Sequence, residues 1–334
     1  MKIVVDKDIP FISGRFPKEI EVLTAKGNEI TREMVKDADA LVVRTRTRCD
    51  SSLLEGSKVK VVATATIGTD HIDSAWCEKN GIKVASAPGC NAPGVAQYVW
   101  SALYKEGFDP KKNVLGIIGY GNVGSLVAAW AKQLGYRILI SDAPKEETGD
   151  TSVPYVNLES LLRNSDAVTI HVPLTNTGNY PTYHLIGREE LTMMKPGTLI
   201  INTSRGGIVD ECEFKKFIKS GDRKAVIDVW EKEPVIDREL ASLASIATPH
   251  IAGYSKEGKM RATKMVLEVL KEELGINIDL TGLECACPKE IKVNEATIKD
   301  SYDIGRDHLK LMENPESFEE IRNNYEYREE PATL

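Results

Sequence analysis

No apolar run in this sequence approaches the ~20 residues that carry a helix across a bilayer. Its start, Met1-Lys2-Ile3-Val4-Val5-Asp6, lacks the long apolar core of a secretory signal and reads instead as a first strand, so a cytoplasmic protein is expected. Cysteine is sparse: Cys49, Cys77, Cys90, Cys212, Cys285 and Cys287 form no CxxC pair. That spacing excludes a disulfide scaffold and a zinc ribbon, and reduced thiols follow. Cys285-Ala286-Cys287 has neither a histidine nor a second pair beside it, so no metal site is expected. A basic excess is missing too: the net charge of −7 argues against a nucleic-acid partner, whose phosphates need Lys and Arg. Internal repeats and low-complexity tracts are absent.

What is present is the composition of a soluble globular protein, 42% hydrophobic and 28% charged, in a chain of 334 residues that is too long for one ordinary core. The stretch 113–142 organises it. The apolar run Val114-Leu115-Gly116-Ile117-Ile118 leads into Gly119-Tyr120-Gly121-Asn122-Val123-Gly124, a helical pattern spans 125–134, and a second strand at 136–141 ends at Asp142. Gly119 permits a tight turn, Gly121 lets backbone approach a pyrophosphate, and Gly124 lets the helix lie close to the strand. The helix start through Asn122 and Val123 offers unpaired N–H groups to phosphate, and Asp142 accepts from a ribose hydroxyl. A glycine turn alone is common, but strand, turn, helix, strand and acid together point to a dinucleotide. An acid at this place favours NAD over a 2′-phosphorylated cofactor.

The first hundred residues alternate strand candidates, at 3–6, 21–24, 40–45, 59–64 and 82–86, with helical patterns. Thr31 and Asp50 read as helix N-caps. A helix over 91–107 connects to the glycine motif, after which strands at 167–172, 198–203 and 225–229 alternate with helices starting near 158, 187 and 210. A further helix, 256–274, leads back to the first domain. The fold class expected is α/β: two Rossmann-like doubly wound parallel-sheet domains with a short C-terminal extension. Residues 1–90, completed by 256–280, form a substrate-binding domain, 91–255 the NAD-binding domain, and 281–334 the extension. That tail is polar and charged, with Tyr302, Ile304, Leu309 and Leu311 as sparse apolar anchors.

Three ionisable residues follow late strands of the second domain, where open α/β sheets place ligands: Arg205, Glu233 and His250. Arg205, in Thr203-Ser204-Arg205-Gly206-Gly207, can hold a carboxylate with two parallel bonds; the plainer alternative is a solvated loop arginine. A carboxylate such as Glu233 beside the His250 imidazole stabilises its protonated form, which suits a group that gives a proton to a carbonyl oxygen and takes it back. Singly, a His beside Pro is more often structural and a Glu before Pro a surface charge.

Taken together with His171-Val172-Pro173-Leu174, Asn202, Pro234 and Thr248-Pro249-His250-Ile251-Ala252-Gly253, these residues resemble the D-isomer-specific 2-hydroxyacid dehydrogenase family over about residues 1–275. The resemblance implies that Arg205 holds the substrate carboxylate, His250 is the general acid/base, and Glu233 orients and charges it. It implies also that Val172, Thr203, Ser204, Asp228 and Gly253 line the NAD site.

A second set resembles members of that family whose substrate carries a phosphate as well as a 2-hydroxy acid: Arg44-Thr45-Arg46-Thr47-Arg48, the run from Ala63 to Asp73, Ala87-Pro88-Gly89-Cys90-Asn91-Ala92, and Gly253-Tyr254-Ser255-Lys256. On that resemblance Thr45, Thr66 and Tyr254 bind substrate, and Thr66-Ile67-Gly68 offers N–H groups to its carboxylate. Thr45 stands where Ser is familiar and keeps the hydroxyl. If the chain stays extended past Thr45, the period of two sets Arg44, Arg46 and Arg48 on one face, where they converge on a phosphate. By spacing alone a solvated basic edge strand is as good an account. The implied assembly is a homodimer made through the C-terminal region. The rival activities are a phosphoglycerate or glyoxylate/hydroxypyruvate dehydrogenase and, from another class, an NAD-sensing corepressor-like module.

Overall fold

Short runs of Val, Ile, Leu and Ala between helices are what a parallel sheet covered on both faces requires. In the computed structural model, which describes residues 1–221 and 224–331, these runs build two sheets. The chain divides into Met1–Asn91 with Lys256–Ala286, and Ala92–Ser255 with Cys287–Leu334. The tail from 281 is therefore not a body of its own: up to Ala286 it clusters with the first unit, and from Cys287 with the second.

The first unit holds β1 (Lys2–Asp6), β2 (Glu21–Ala25), β3 (Ala40–Val43), β4 (Val61–Thr64) and β5 (Lys83–Ala85), all parallel, in the order β2-β1-β3-β4-β5. Alternation sorts its side chains. Ile3, Val5, Val42 and Ala63 face Ala262, Val266, Leu267 and Leu270 of the helix Lys256–Leu274. Val4, Leu41, Val43 and Val62 pack with Leu53, Leu54 and Cys77 on the other side.

The second unit holds β6 (Val114–Ile118), β7 (Arg137–Ser141), β8 (Ala167–Ile170), β9 (Leu199–Asn202), β10 (Lys224–Ile227) and β11 (Ile246–Ala247). The order β11-β10-β9-β8-β6-β7 is parallel throughout, and the direction of succession reverses at β6 and β8. β11, two residues long, and the helices Ala143–Glu147 and Arg238–Leu243 are too short to leave a period in the sequence. The helix Ala92–Lys105 is buried from Ala92 through Leu103, with Tyr98 and Trp100 fully enclosed.

The C-terminal segment completes this core. Ile291, Val293, Ile298, Tyr302 and Ile304 pack into the cluster around Trp100, and Leu311 and Phe318 into the one around Phe214. Leu309, expected as an anchor, is 60% exposed: the helix Ile304–Glu313 buries Ile304, Asp307 and Leu311, and helical spacing turns position 309 outward. No helix among the described residues is long and apolar enough to cross a membrane.

Phe318 tests whether the tail is integral. Phe318→Ala is expected to cost about 3–5 kcal/mol of stability through the cavity it leaves, read as a lowered denaturation midpoint; a loosely laid extension would lose almost nothing.

Candidate functional site

The glycine turn lies where the second sheet reverses, the crevice in which open α/β sheets bind ligands. Gly119 has φ +89° and a Cβ there would stand 2.6 Å from the His171 carbonyl oxygen, while a Cβ on Gly124 would overlap the Gly119 carbonyl. The turn and the helix Asn122–Gln133 are thus pressed together, and the helix starts three residues earlier than its apolar pattern implies. A Cβ on Gly121 would meet no protein atom, so the bareness of that position serves nothing inside the fold. Gly121 caps the helix without a side-chain bond, leaving the N–H groups at exposed Asn122 and half-buried Val123 open to an anion.

Asp142 follows β7 and holds this turn: its Oδ2 accepts from the Tyr120 N–H at 2.7 Å and its Oδ1 from the Lys145 N–H at 3.2 Å. Val172, after β8, closes over Gly119. The Thr203 hydroxyl is buried without a partner in the protein, the kind of group a ligand satisfies. Ser204 is different, since its N–H and its hydroxyl both go to Asn202 Oδ1, at 3.1 and 2.9 Å. These features fit a dinucleotide: an open glycine, an uncapped helix start, an acid after the second strand and an unsatisfied hydroxyl.

The loop bearing Arg205 is built by Asn202, which also donates from Nδ2 to the Arg205 carbonyl at 3.0 Å. The guanidinium donates from Nη1 to the Ser204 carbonyl at 2.8 Å. At Gly206 any Cβ would overlap the Trp230 carbonyl, so this loop packs backbone to backbone on the loop that carries Glu233. Glu233 Oε1 accepts from the Trp230 N–H at 3.0 Å.

His250 meets Glu233 directly, with Nδ1 at 3.0 Å from Oε1 and 2.8 Å from Oε2. With the Nδ1 proton committed to the carboxylate, Nε2 is the ring nitrogen left to exchange a proton. Burial alone would raise the Glu233 carboxyl, but the bond to His250, its charge, the Trp230 N–H and Arg322 outweigh it and hold the group below the usual carboxylate range.

His250 has φ +58°, a region that side chains other than glycine seldom adopt. Asp228 fixes it there. The Asp228 carbonyl accepts from the His250 N–H at 2.8 Å. Its carboxylate takes the Thr248 hydroxyl, the Ile251 N–H and the Ala252 N–H at 2.7, 2.8 and 2.9 Å. Asp228 is only 1% exposed, and burial raises its carboxyl against the pull of His250 and these donors. Expected to line the cofactor site, it organises the loop that holds His250.

Sequence reasoning missed the partners from the tail. Arg328 donates to the carbonyls of Ile251 at 3.0 Å, Tyr254 at 3.3 Å, Gly94 at 2.9 Å and Ala252, and to Gln97 Oε1 at 2.8 Å. Its guanidinium lies 4.3 Å from the Tyr302 ring centroid. Arg322 Nε donates to the Tyr254 hydroxyl at 3.2 Å. Gly253 and Tyr254 are half-buried on the loop so clamped. No local pattern in a charged tail marks these two arginines; only the Tyr325-Glu326-Tyr327-Arg328 run breaks its acidic text.

In the first unit the sheet reverses at β1 and β3, and Arg44 stands at that point. Its Nε reaches buried Asp6 at 3.2 Å and its Nη2 Asp8 at 3.3 Å. The chain does not stay extended beyond Val43: the Thr47 N–H donates to the Arg44 carbonyl at 3.3 Å and closes a turn. The single face expected for Arg44, Arg46 and Arg48 is therefore not formed. Arg48 turns to Asp50 at 2.7 Å and is 82% exposed, while Thr45 and Arg46 sit exposed on the turn. Thr66 Oγ1 is 2.6 Å from Thr64 Oγ1 and bonds the Gly68 carbonyl at 3.2 Å, shaping the Thr66-Ile67-Gly68 turn, where Ile67 is 38% exposed.

Three of the other histidines, His171, His184 and His308, have structural partners, while the buried Nε2 of His71 has none. His184 lies 3.4 Å from Asp210 and 3.1 Å from Glu231, and His308 Nδ1 accepts from the Ala247 N–H at 3.0 Å. Burial lowers the His171 imidazole to about 3, so it is neutral beside Thr169.

Residues 93–252 match the family model described as D-isomer specific 2-hydroxyacid dehydrogenase, NAD binding domain. The chain is 44% identical over 342 residues to an erythronate-4-phosphate dehydrogenase from Bacteroides fragilis, covering 99% of this chain and 97% of that protein. Among solved structures it is similar to an NAD-bound 3-phosphoglycerate dehydrogenase from Entamoeba histolytica, with TM-score 0.65, 27% identity, and 81% of this chain and 94% of that one covered. It is similar also to a D-lactate dehydrogenase from Aquifex aeolicus complexed with NAD and lactic acid, with TM-score 0.64, 25% identity, and coverage of 82% and 96%.

Asp228→Ala strands three donors in a buried loop. A stability loss of about 3 kcal/mol or more is expected at roughly 1–3 kcal/mol per orphaned group, measured by chemical denaturation, with Asp228→Asn losing less; equal midpoints for Asp228→Ala and the native chain would remove Asp228 from this role.

Proposed function

Because the chain belongs to the erythronate-4-phosphate dehydrogenases, within the D-isomer specific 2-hydroxyacid dehydrogenase family, we propose that it oxidises 4-phospho-D-erythronate at C2 to (R)-3-hydroxy-2-oxo-4-phosphooxybutanoate, a step of pyridoxal 5′-phosphate biosynthesis. The observation that carries this reading is the two-oxygen contact of Glu233 with His250 Nδ1, at 3.0 and 2.8 Å. It supports an imidazole whose Nε2 takes a hydroxyl proton and whose resulting charge is opposed by a carboxylate.

The cofactor is NAD, which when bound accepts the hydride from C2. Gly119, Gly121, Asn122, Val123 and Gly124 cradle its pyrophosphate, Asp142 takes a ribose hydroxyl, and Val172, Thr203, Ser204 and Gly253 line its place. Asp228 contributes by holding the His250 loop. Arg205 binds the substrate carboxylate and polarises the oxygen at C2. His250 Nε2 removes the proton from that oxygen as the carbonyl forms, and Glu233 holds the imidazolium until the proton leaves. Thr66, Ile67 and Gly68 present N–H groups to the carboxylate, Thr45 and Tyr254 give hydroxyls, and Arg44 and Arg46 meet the phosphate. A cytoplasmic homodimer belongs to the same proposal.

A phosphoglycerate or glyoxylate/hydroxypyruvate activity is the nearer rival. Identity of 44% to the erythronate-4-phosphate enzyme against 27% to the 3-phosphoglycerate one favours the first. An NAD-sensing binding module would need no proton-transfer pair, and Glu233 with His250 supplies one.

A substrate panel followed by NADH absorbance tests the activity: 4-phospho-D-erythronate is expected to be the best substrate, and preference for an unphosphorylated 2-hydroxy acid would overturn the assignment. On the best substrate, Arg46→Ala should raise KM about 10-fold or more, as expected for one lost charge-assisted bond, and hardly change KM for D-erythronate. Equal effects on both count against a phosphate role. His250→Asn should keep NADH affinity, read by fluorescence titration, while kcat falls by about 10²-fold or more; turnover near the native rate would exclude His250 as the base.

A further inference from the structure

The helix Phe318–Asn323 is seated by Phe318, which is 1% exposed, and Arg322 lies four residues on, on the same side of the helix. From there its guanidinium reaches two groups of the proposed site. Nη1 stands 3.6 Å from Glu233 Oε2, and Nε donates to the Tyr254 hydroxyl at 3.2 Å. Glu233 Oε2 is also the oxygen 2.8 Å from His250 Nδ1, so imidazole and guanidinium share it. The side chains of Arg322 and Glu233 are 26% and 19% exposed, which takes the pair partly out of water and strengthens its electrostatics.

We propose that Arg322, delivered by the C-terminal segment, is a positioning residue for the dehydrogenase reaction: it holds Glu233 as the charged partner of His250 and orients the Tyr254 hydroxyl. The proposal rests on the activity argued above. A permanent cation on the shared oxygen opposes a second positive charge on the imidazole, and so favours the neutral ring that oxidation needs as base. The charged or titratable groups around the pair are His250, buried Asp228, Tyr254 and Glu211, whose carboxyl is raised to about 7 chiefly by burial. Arg322 comes from an element later in the chain than any of them. At Tyr254 the hydroxyl accepts from Arg322, which turns its own proton away from the guanidinium and toward other acceptors. The ring is kept in place edge-on by Tyr325 and Tyr327, with centroids 6.1 and 6.2 Å away.

The test is the pH profile of kcat/KM for oxidation in the full-length protein. Arg322→Gln removes the cation, and the acidic limb is expected to move up by about half a unit or more, a roughly threefold loss on that limb. Arg322→Lys keeps a cation near Glu233, and its limb should stay where the native one is. A purely structural role would lower both variants without displacing the limb, and a Gln profile coincident with the native one overturns the proposal. NADH binding in the same preparations checks the fold. If Arg322→Gln does not fold, Arg322→Lys decides alone, since a displaced limb there contradicts a role carried by charge. If the native enzyme prefers another 2-hydroxy acid, the activity assignment falls while the same profiles on that acid still decide Arg322. The His250 ring proton resonances followed against pH read the displacement without turnover.

Discussion

The buried carboxylate of Asp228 is the constraint on which the proposed chemistry depends. The chain after β11 must reverse within a few residues and present His250 with a left-handed backbone, so its N–H groups have no strand or helix to pair with. Asp228, at the end of β10, supplies the acceptors, and Thr248 and Trp230 tie the same loop to the core. The Tyr98 hydroxyl meets Thr248 Oγ1 at 2.6 Å, and the Trp230 indole donates to the Thr248 carbonyl at 3.1 Å. A charge so fully removed from water is tolerable only when its oxygens find donors, and here Oδ1 takes two and Oδ2 one.

Two carboxyls a few residues apart are pushed in opposite directions by their surroundings. Burial raises Asp228, and it works through the hydrogen bonds it accepts. Glu233 is half-buried, but His250 and Arg322 outweigh the effect of that burial and hold it below the usual carboxylate range. The division gives one acid the task of shaping the loop and leaves the other to oppose the charge of the imidazole. The backbone approach at Gly206 keeps these parts in register with Arg205, because the loop of the guanidinium and the loop of Glu233 touch without a side chain between them.

Local features of this fold were legible in the sequence. The glycine turn, the strand that enters it and Asp142 signal themselves through residue type and spacing over thirty residues, and the helix Lys256–Leu274 through its period. The arginine run was not legible, because alternation predicts a shared face only while the chain is extended, and the turn closed at Thr47 sends Arg44 to Asp6 and Arg48 to Asp50. Asp228 was visible as a motif residue but not as the anchor of a loop, since its donors lie about twenty residues away in a segment without regular structure. Arg322 and Arg328 were invisible for a stronger form of the same reason: their partners are some seventy or more residues distant, and nothing periodic links them.

The tail is needed because of backbone accounting. An irregular loop that is buried must find a partner for every N–H and every carbonyl, and neighbouring strands cannot provide them. Around Ile251 and Ala252 the two halves of that demand are met from opposite sides: Asp228 accepts from both N–H groups, and Arg328 donates to both carbonyls. An ionised carboxylate can only accept and a guanidinium can only donate, so neither residue could serve the other's role. The arginine must come from outside the sheet, since the elements beneath the loop already present Asp228, Thr248 and Tyr98. The same segment then carries Arg322 to Glu233, so the fold that closes the loop's hydrogen bonds also brings a second cation to the His250 partner.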